Sequence, residues 1–200
     1  MAAFLGNLRN VVIAGFVLAF IVFLIHAQRS GWQFDAETFA MFLLRWLHII
    51  SGVMWIGHLW YFNFTQTPTI PKIPQELRPG VVRYILPEAL FWFRWGAMFT
   101  IIFGLILAWL LGFLGQALSL GIGQHDLHFT LIGFGMWLGF IMWFNVWFII
   151  WPNQKKVLGI VSATPDEVNA ARRLAGLASR VNTMLSIPML YAMASSHYFG

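Results

Sequence analysis

The chain contains no cysteine and little charge, and each deficit excludes a class of protein. None of its 200 residues is Cys, which excludes disulfides, thiolate metal sites, iron–sulfur clusters and covalently attached c-type haem. Charged residues make up only 10% of the chain, whereas hydrophobic residues make up 60%. A soluble core of this length could not hold 11 Trp and 20 Phe. The composition therefore predicts an integral membrane protein.

Hydrophobic segments of transmembrane length recur along the chain. They lie near residues 10–27, 39–63, 88–114, 127–151 and 180–199. Each is close to the roughly 20 residues that a helix needs to cross the hydrocarbon layer. We therefore predict an all-α fold, an integral membrane bundle of about five transmembrane helices that forms a single domain over residues 1–200.

Two connecting segments have a different character. The segment Thr65–Pro87 contains five prolines and no long apolar run, so we expect a loop outside the bilayer. After Trp151, the sequence SATPDEVNAARRLAGLASR predicts a short amphipathic helix at the membrane surface, capped by Thr164 or Asp166.

The basic residues are distributed unequally between the two sides of the membrane. If five helices alternate in direction, one side carries Arg9, Lys72, Arg78, Arg83, Lys155, Lys156, Arg172, Arg173 and Arg180, and the other carries chiefly Arg29. Lys and Arg are enriched in cytoplasmic loops. We therefore expect a multi-pass protein of the bacterial inner membrane, with a cytoplasmic N-terminus and a periplasmic C-terminus. The net charge of +5 is assigned to topology and lipid headgroups, and no nucleic-acid partner is expected.

Polar residues interrupt the second hydrophobic segment. Residues 45–62, RWLHIISGVMWIGHLWYF, place one arginine and two histidines among apolar and aromatic side chains. In the expected orientation, His48, His128 and His197 lie toward the outer face on three helices. A single buried imidazole is most simply a helix–helix hydrogen bond. Three at similar depth, without Cys or an acidic cluster, favour haem b, with copper and zinc as alternatives.

The histidines can be given roles on this hypothesis. We expect two of His48, His128 and His197 to bind the haem iron, with His48 as one axial ligand. Arg45, one turn outward from His48, either pairs with a haem propionate or reaches to the interface. His58 points roughly 80° away from His48 around the helix and is expected to do something else. His26 and His125 are interpreted as interfacial or loop residues.

Motifs for hydrolytic chemistry are missing from the sequence. It contains no nucleophile–His–carboxylate set, carboxylate pair, phosphate-binding loop or metalloprotease motif. A hydrolase is therefore not expected.

Four strings resemble, in order, the membrane domain of the bacterial urate oxidases that are linked to cytochrome c. They are RWLHIISGVMWIGHLWYFNF, LPEALFWFRWGAMFT, LHFTLIGFGMWLGFIMWFNVWFIIWPNQKK and SRVNTMLSIPMLYAMASSH. The resemblance spans about residues 39 to 198, and HIISGVMWIG is also similar to the first helix of the small haem-binding membrane protoporphyrinogen oxidases. It implies a haem-containing electron-transfer domain that delivers electrons to cytochrome c, and it marks His48, His128 and His197 as matching histidines.

The chain also departs from this family's pattern. The family has His and Glu where this chain has Phe91 and Gly96, and His where it has Val181. A short proline-rich loop replaces a larger insertion between the second and third helices. The family usually adds a C-terminal cytochrome c domain, whereas this chain stops at Gly200. These departures make haem binding a firmer expectation than urate chemistry.

The sequence therefore predicts a haem-b membrane electron-transfer protein, or a subunit of a membrane oxidoreductase. We expect it to exchange electrons with a periplasmic cytochrome c. A structural or assembly subunit of a respiratory or photosynthetic membrane complex is one alternative, and a urate-oxidising enzyme is another. Whether the chain is itself catalytic, its substrate and the second axial ligand are left open at this stage.

Overall fold

Helices make up the fold. The computed structural model describes residues 2–33, 35–122, 127–196 and 198, and these residues form helices joined by turns, with no strand among them. A helical turn, Ala2–Leu5, comes first. It is followed by α1 (Leu8–Ser30), α2 (Ala36–Lys72), α3 (Arg78–Leu110), α4 (Leu114–Leu118), α5 (Leu127–Val157) and α6 (Pro165–Ser195). The predicted all-α class is confirmed.

Four of the described helices, α1, α2, α3 and α5, are long and apolar enough to cross a membrane. The last helix, α6, differs from the sequence prediction. A short surface helix and a separate span at 180–199 were expected, but Pro165–Ser195 is one continuous helix of 31 residues that includes Pro188. Its polar first half lowers its hydropathy, so a fifth span stays a prediction.

The predicted loop Thr65–Pro87 is wrong in its extent, because only residues 73–77 separate α2 from α3. Helical structure continues through most of its prolines. Three of the described prolines each follow a π-helical segment that ends two residues earlier. These are Pro68 after Tyr61–Gln66, Pro87 after Val81–Ile85, and Pro152 after Asn145–Ile150. Proline lacks an N–H, and its ring clashes with the carbonyl four residues earlier in an α-helix. The wider π turn, with its i to i+5 spacing, relieves that clash.

The contacts between Cα atoms divide the chain into two compact units, Met1–Ala40 and Met41–Gly200. The single-domain organisation stays a prediction. In the first unit, the Asn7 side chain accepts a hydrogen bond from the Arg9 amide and begins α1. Gly31, at a φ of 65°, ends α1. The Phe23 ring then contacts Trp32 and Phe39.

The second unit has a core in which aromatic and aliphatic side chains from α2, α3 and α5 are buried together. Its largest fully buried apolar side chains are Trp55, Leu59, Phe93, Met142 and Val146. The Phe62 and Phe93 rings meet edge to face, with centroids 5.5 Å apart, and fix α2 against α3.

Polar side chains tie α6 to this core. The Trp60 indole donates to Ser186 Oγ at 3.0 Å, and the Asn63 amide donates to Ser179 Oγ at 2.8 Å. On the other side, Asn145 donates to the buried Asn182, which itself donates to the Met142 carbonyl. Such bonds hold membrane helices together with modest energy each.

The prediction that Thr164 caps a helix is confirmed. The Thr164 hydroxyl accepts from the Glu167 amide, and the Glu167 carboxylate accepts from the Thr164 amide, which is a reciprocal capping box. These bonds hold the pKa of the Glu167 carboxyl below its usual value. The bond from the Thr164 amide to the carboxylate is therefore in place at neutral pH and is lost as the pH falls through that lowered pKa, whereas the bond from the Glu167 amide to the Thr164 hydroxyl stays.

The contact between α4 and α5 provides a test of the fold. A Cβ atom on Gly133 would overlap the carbonyl oxygen of Ala117, which is backbone and cannot rotate away. We expect Gly133→Ala to lower the free energy of unfolding by about 1–3 kcal/mol, measured as a lower melting temperature in detergent micelles. The control is Gly176→Ala in α6, whose Cβ meets no neighbour within 4 Å. Equal melting of the two variants would contradict this packing.

Candidate functional site

His48 lies in α2 and is bonded to α3. Its Nδ1 is 2.8 Å from the carbonyl oxygen of Thr100, and its side chain is partly buried. Because a carbonyl can only accept, Nδ1 must carry the hydrogen and donate it. A neutral imidazole in this tautomer has its lone pair on Nε2, the atom that can bind a metal.

Three small residues of α3 allow His48 and α2 to lie this close to α3. We call Gly96, Thr100 and Gly104 the small-residue face. A Cβ atom on Gly104 would lie 2.8 Å from Nδ1 and Cε1 of His48, closer than real Cβ atoms approach. A Cβ on Gly96 would lie 3.0 Å from the backbone nitrogen of Trp55. The spacing of four residues keeps the three on one side of α3, so the backbone of α2 approaches this side closely.

The sequence did carry a signal for this face. Gly96, Thr100 and Gly104 recur every fourth residue in GAMFTIIFG, a spacing typical of close helix contacts in membranes. Thr100 and Gly104, which lie on the partner helix and touch His48, were not among the predicted site residues.

His128 begins α5 and is bonded to the end of α6. Its Nδ1 donates to the Ser196 carbonyl at 2.8 Å, so this tautomer also carries its lone pair on Nε2. The His128 ring meets Phe113 edge to face, with centroids 6.1 Å apart. The imidazole is thus held by α6 and by the connection that follows α3.

His48 and His128 lie at two levels along α3 rather than at the similar depth that the sequence suggested. His48 packs against Gly104, whereas His128 meets Phe113, which follows the end of α3 at Leu110. The six residues from Gly104 to Leu110 correspond to about 9 Å of helix. The structure therefore anchors the two imidazoles separately and not against each other.

The structure makes no such contact known for two other predicted site residues, His197 and Arg45. His197 lies outside the described residues, as does His125. Arg45 is exposed, one turn before His48 on α2, and makes no hydrogen bond or ion pair with the part of the chain that the structure describes. Its guanidinium can therefore bind an anion, as the propionate hypothesis requires.

His58 is separated from this site, as the sequence predicted. Its Nδ1 donates to the Met54 carbonyl one turn earlier in α2, at 2.7 Å. His58 is thus bonded within its own helix, whereas His48 and His128 each bond to another one.

One feature of the described residues suits a haem b group: the His48 imidazole is held as the neutral tautomer with its lone pair on Nε2. Gly104 leaves the space that the ring itself occupies. Six buried side-chain atoms, among them the Trp55 indole nitrogen and the Ser195 hydroxyl oxygen, have no hydrogen-bond partner among the described residues. Such atoms can bond to water or to a bound polar group. Within the same residues, no group of three or more His, Cys, Asp or Glu could hold a metal ion.

Comparison with known proteins gives one match. Residues 127–199 match the family model described as Urate oxidase N-terminal. The matched segment contains α5, α6 and His128, and the resemblance stated from the sequence is confirmed over this range. No curated protein and no solved structure matches the chain.

A substitution in the small-residue face tests the position of the His48 ring. Gly104→Ala places a methyl group where the His48 ring lies, so we expect the Nδ1–Thr100 bond to break and the imidazole to move. The measurement is the chemical shift and tautomer of His48 by NMR of protein labelled with 15N-histidine. Gly176→Ala is the control and should leave the spectrum unchanged. A His48 signal that is identical in both variants would rule out this geometry.

Proposed function

We propose that the chain is a haem-b electron-transfer protein of the membrane, a proposal supported by the match of residues 127–199 to the urate oxidase N-terminal family model. It acts alone or as a subunit of a membrane oxidoreductase. Its electrons pass to or from a cytochrome c in the bacterial periplasm, or within a larger membrane complex.

The observation that carries this proposal is the way His48 and His128 are held. Each donates Nδ1–H to a backbone carbonyl on another element at 2.8 Å. Histidines that bind metals almost always donate their other ring N–H to a carbonyl, a carboxylate or water, because this fixes the tautomer and the ring orientation. The His48 imidazole is thereby prepared to bind through Nε2, and the orientation of the His128 ring is fixed in the same way.

The roles of the residues follow from these contacts. His48 would hold the haem iron through Nε2. The second ligand would be His197, or His128 if its ring moves from the level that it occupies about 9 Å further along α3. The Thr100 carbonyl keeps the His48 hydrogen on Nδ1, and Gly104 leaves room for the ring. Arg45 would hold a haem propionate, because an unpaired negative charge costs energy near the hydrocarbon. Haem bound here supplies reversible one-electron oxidation and reduction.

The proposed topology has five spans, with α6 as the fifth. Three polar side chains of α6, Ser179, Asn182 and Ser186, bond to α2 or α5, which supports packing of α6 within the bundle. The distribution of Lys and Arg supports an N-terminus in the cytoplasm and a C-terminus in the periplasm.

Urate oxidation is the second candidate, because the matched family bears that name. One structural observation opposes it. Gly96, which stands where the resemblance implies a glutamate, lies against the backbone of Trp55 and leaves no room for a longer side chain. The haem function therefore has the stronger support.

A spectrum of the purified protein tests the haem proposal. We expect a Soret band and a pyridine haemochrome of b type from wild-type protein produced with an adequate haem supply. His48→Ala removes a ligand and should abolish the band or shift its spin state. His58→Ala is the matched control on the same helix and should retain the wild-type spectrum. Wild-type protein without haem, or a normal spectrum in His48→Ala, would refute the assignment.

The same preparations separate the alternatives. Urate-dependent reduction of added cytochrome c would favour the urate-oxidising enzyme. If the protein instead co-purifies stably with a large complex, and substitution of His48 harms only assembly, the chain is a structural subunit of that complex.

A further inference from the structure

A groove of about 760 Å³ runs along the contact between α2 and α3, a volume within the roughly 300–1,000 Å³ of ligand-binding clefts. Its α2 wall consists of Ile50, Val53, Met54, Gly57, His58 and Tyr61, and its α3 wall of Ile85, Glu88, Ala89 and Trp92. Both sets recur at spacings of three and four residues, so each forms one stripe on its helix. The haem proposal does not use this groove.

Contacts between the two helices establish which ends of these stripes meet. His48 lies against Gly104, and Phe62 lies against Phe93, so α2 and α3 run antiparallel. Tyr61 is therefore close to the level of Phe93. Glu88 lies five residues further along, at about 8 Å from that level and away from His48.

The groove is consequently graded in polarity. His58, Tyr61 and Glu88 occupy the end far from His48. The end near His48 is formed by Ile50, Val53 and Met54, and the eight residues from His58 back to Ile50 span about 12 Å. A ligand that matches this gradient has a compact polar head and an apolar tail.

Two acceptors lie at the polar end, and the Tyr61 hydroxyl there can both donate and accept. His58 Nδ1 donates to the Met54 carbonyl, so the lone pair of the ring is on Nε2, which is an acceptor. The Glu88 carboxylate is exposed and has no hydrogen bond or ion pair with any described residue. The groove walls include no Lys or Arg. A head with two hydroxyl donors suits these acceptors, whereas the carboxylate repels a phosphate or a fatty-acid head.

We propose that this groove binds a membrane-soluble quinol with an alkyl or isoprenoid tail. Its two ring hydroxyls donate to His58 Nε2 and to the Glu88 carboxylate, and its tail lies along Ile50, Val53 and Met54. The reduced quinol binds more tightly than the oxidised quinone, because the quinone has only acceptors to offer to two acceptors. This proposal needs no haem and stands apart from the proposed function.

Gly57 permits a direct test. It lies in the α2 wall, and a Cβ atom placed on it meets no neighbour within 4 Å, so a side chain can be added there, and Gly57→Leu fills part of the groove. Gly176→Leu is the matched control, since its Cβ also meets nothing and it lies in α6, outside the groove walls. Both substitutions replace a helical glycine with a better helix former.

The protein is first placed in nanodiscs that contain decylubiquinol, which is kept reduced. It is then repurified in detergent, and the amount of quinol bound per chain is measured by liquid chromatography. We expect wild type and Gly176→Leu to retain quinol, and Gly57→Leu to retain at least about tenfold less. Glu88→Leu, which removes one acceptor, should also retain about tenfold less. Oxidised decylubiquinone should be retained less than the quinol.

Three results would overturn the proposal. These are equal retention by wild type and Gly57→Leu, equal retention of quinol and quinone, or displacement of the quinol by decanol at equal concentration. The last result would identify a slot for any acyl chain. Because quinol is measured directly, failure here leaves the haem spectrum unaffected, and a missing haem leaves quinol retention interpretable.

Discussion

The close approach of α2 to α3 is the constraint on which the other features of the second unit depend. Helices in lipid gain little from burying apolar surface against each other, so they associate through close packing and polar bonds. Gly96 and Gly104 allow the backbone of α2 to approach α3. That approach brings His48 to the Thr100 carbonyl. It also aligns the two stripes that form the walls of the groove.

The three described histidines of this unit share one chemistry and differ in what they join. Each donates Nδ1–H to a backbone carbonyl at 2.7 or 2.8 Å. For His48 and His128 the carbonyl belongs to another element, so the bond fixes the orientation of the imidazole between two elements of the fold. For His58 it belongs to the preceding turn of α2. His58 is therefore held by its own helix and contributes its ring to the groove wall.

The prolines show why the residue pattern predicted the helices better than the connections. Five prolines between Thr65 and Pro87 indicate a loop by composition. Two of these prolines, Pro68 and Pro87, instead follow π-helical segments, and each occupies the first turn of the next α-helical stretch. Within these continuous helices, the preceding π turn accommodates the proline, because its hydrogen bonds already run from i to i+5. Whether a chain turns or widens at a proline depends on packing around it, which no local pattern records.

The sequence by itself determined the all-α class, the apolar helices, the Thr164 cap and the separation of His58 from His48. These follow from composition, capping chemistry and the 100° rotation per residue, which are local properties. Only the tertiary structure decided that Thr100 holds His48, that Ser196 holds His128 and that the two imidazoles lie at different levels along α3. It also decided where the groove lies. Such features depend on which helices meet and in what register, and that is set by contacts between residues distant in sequence.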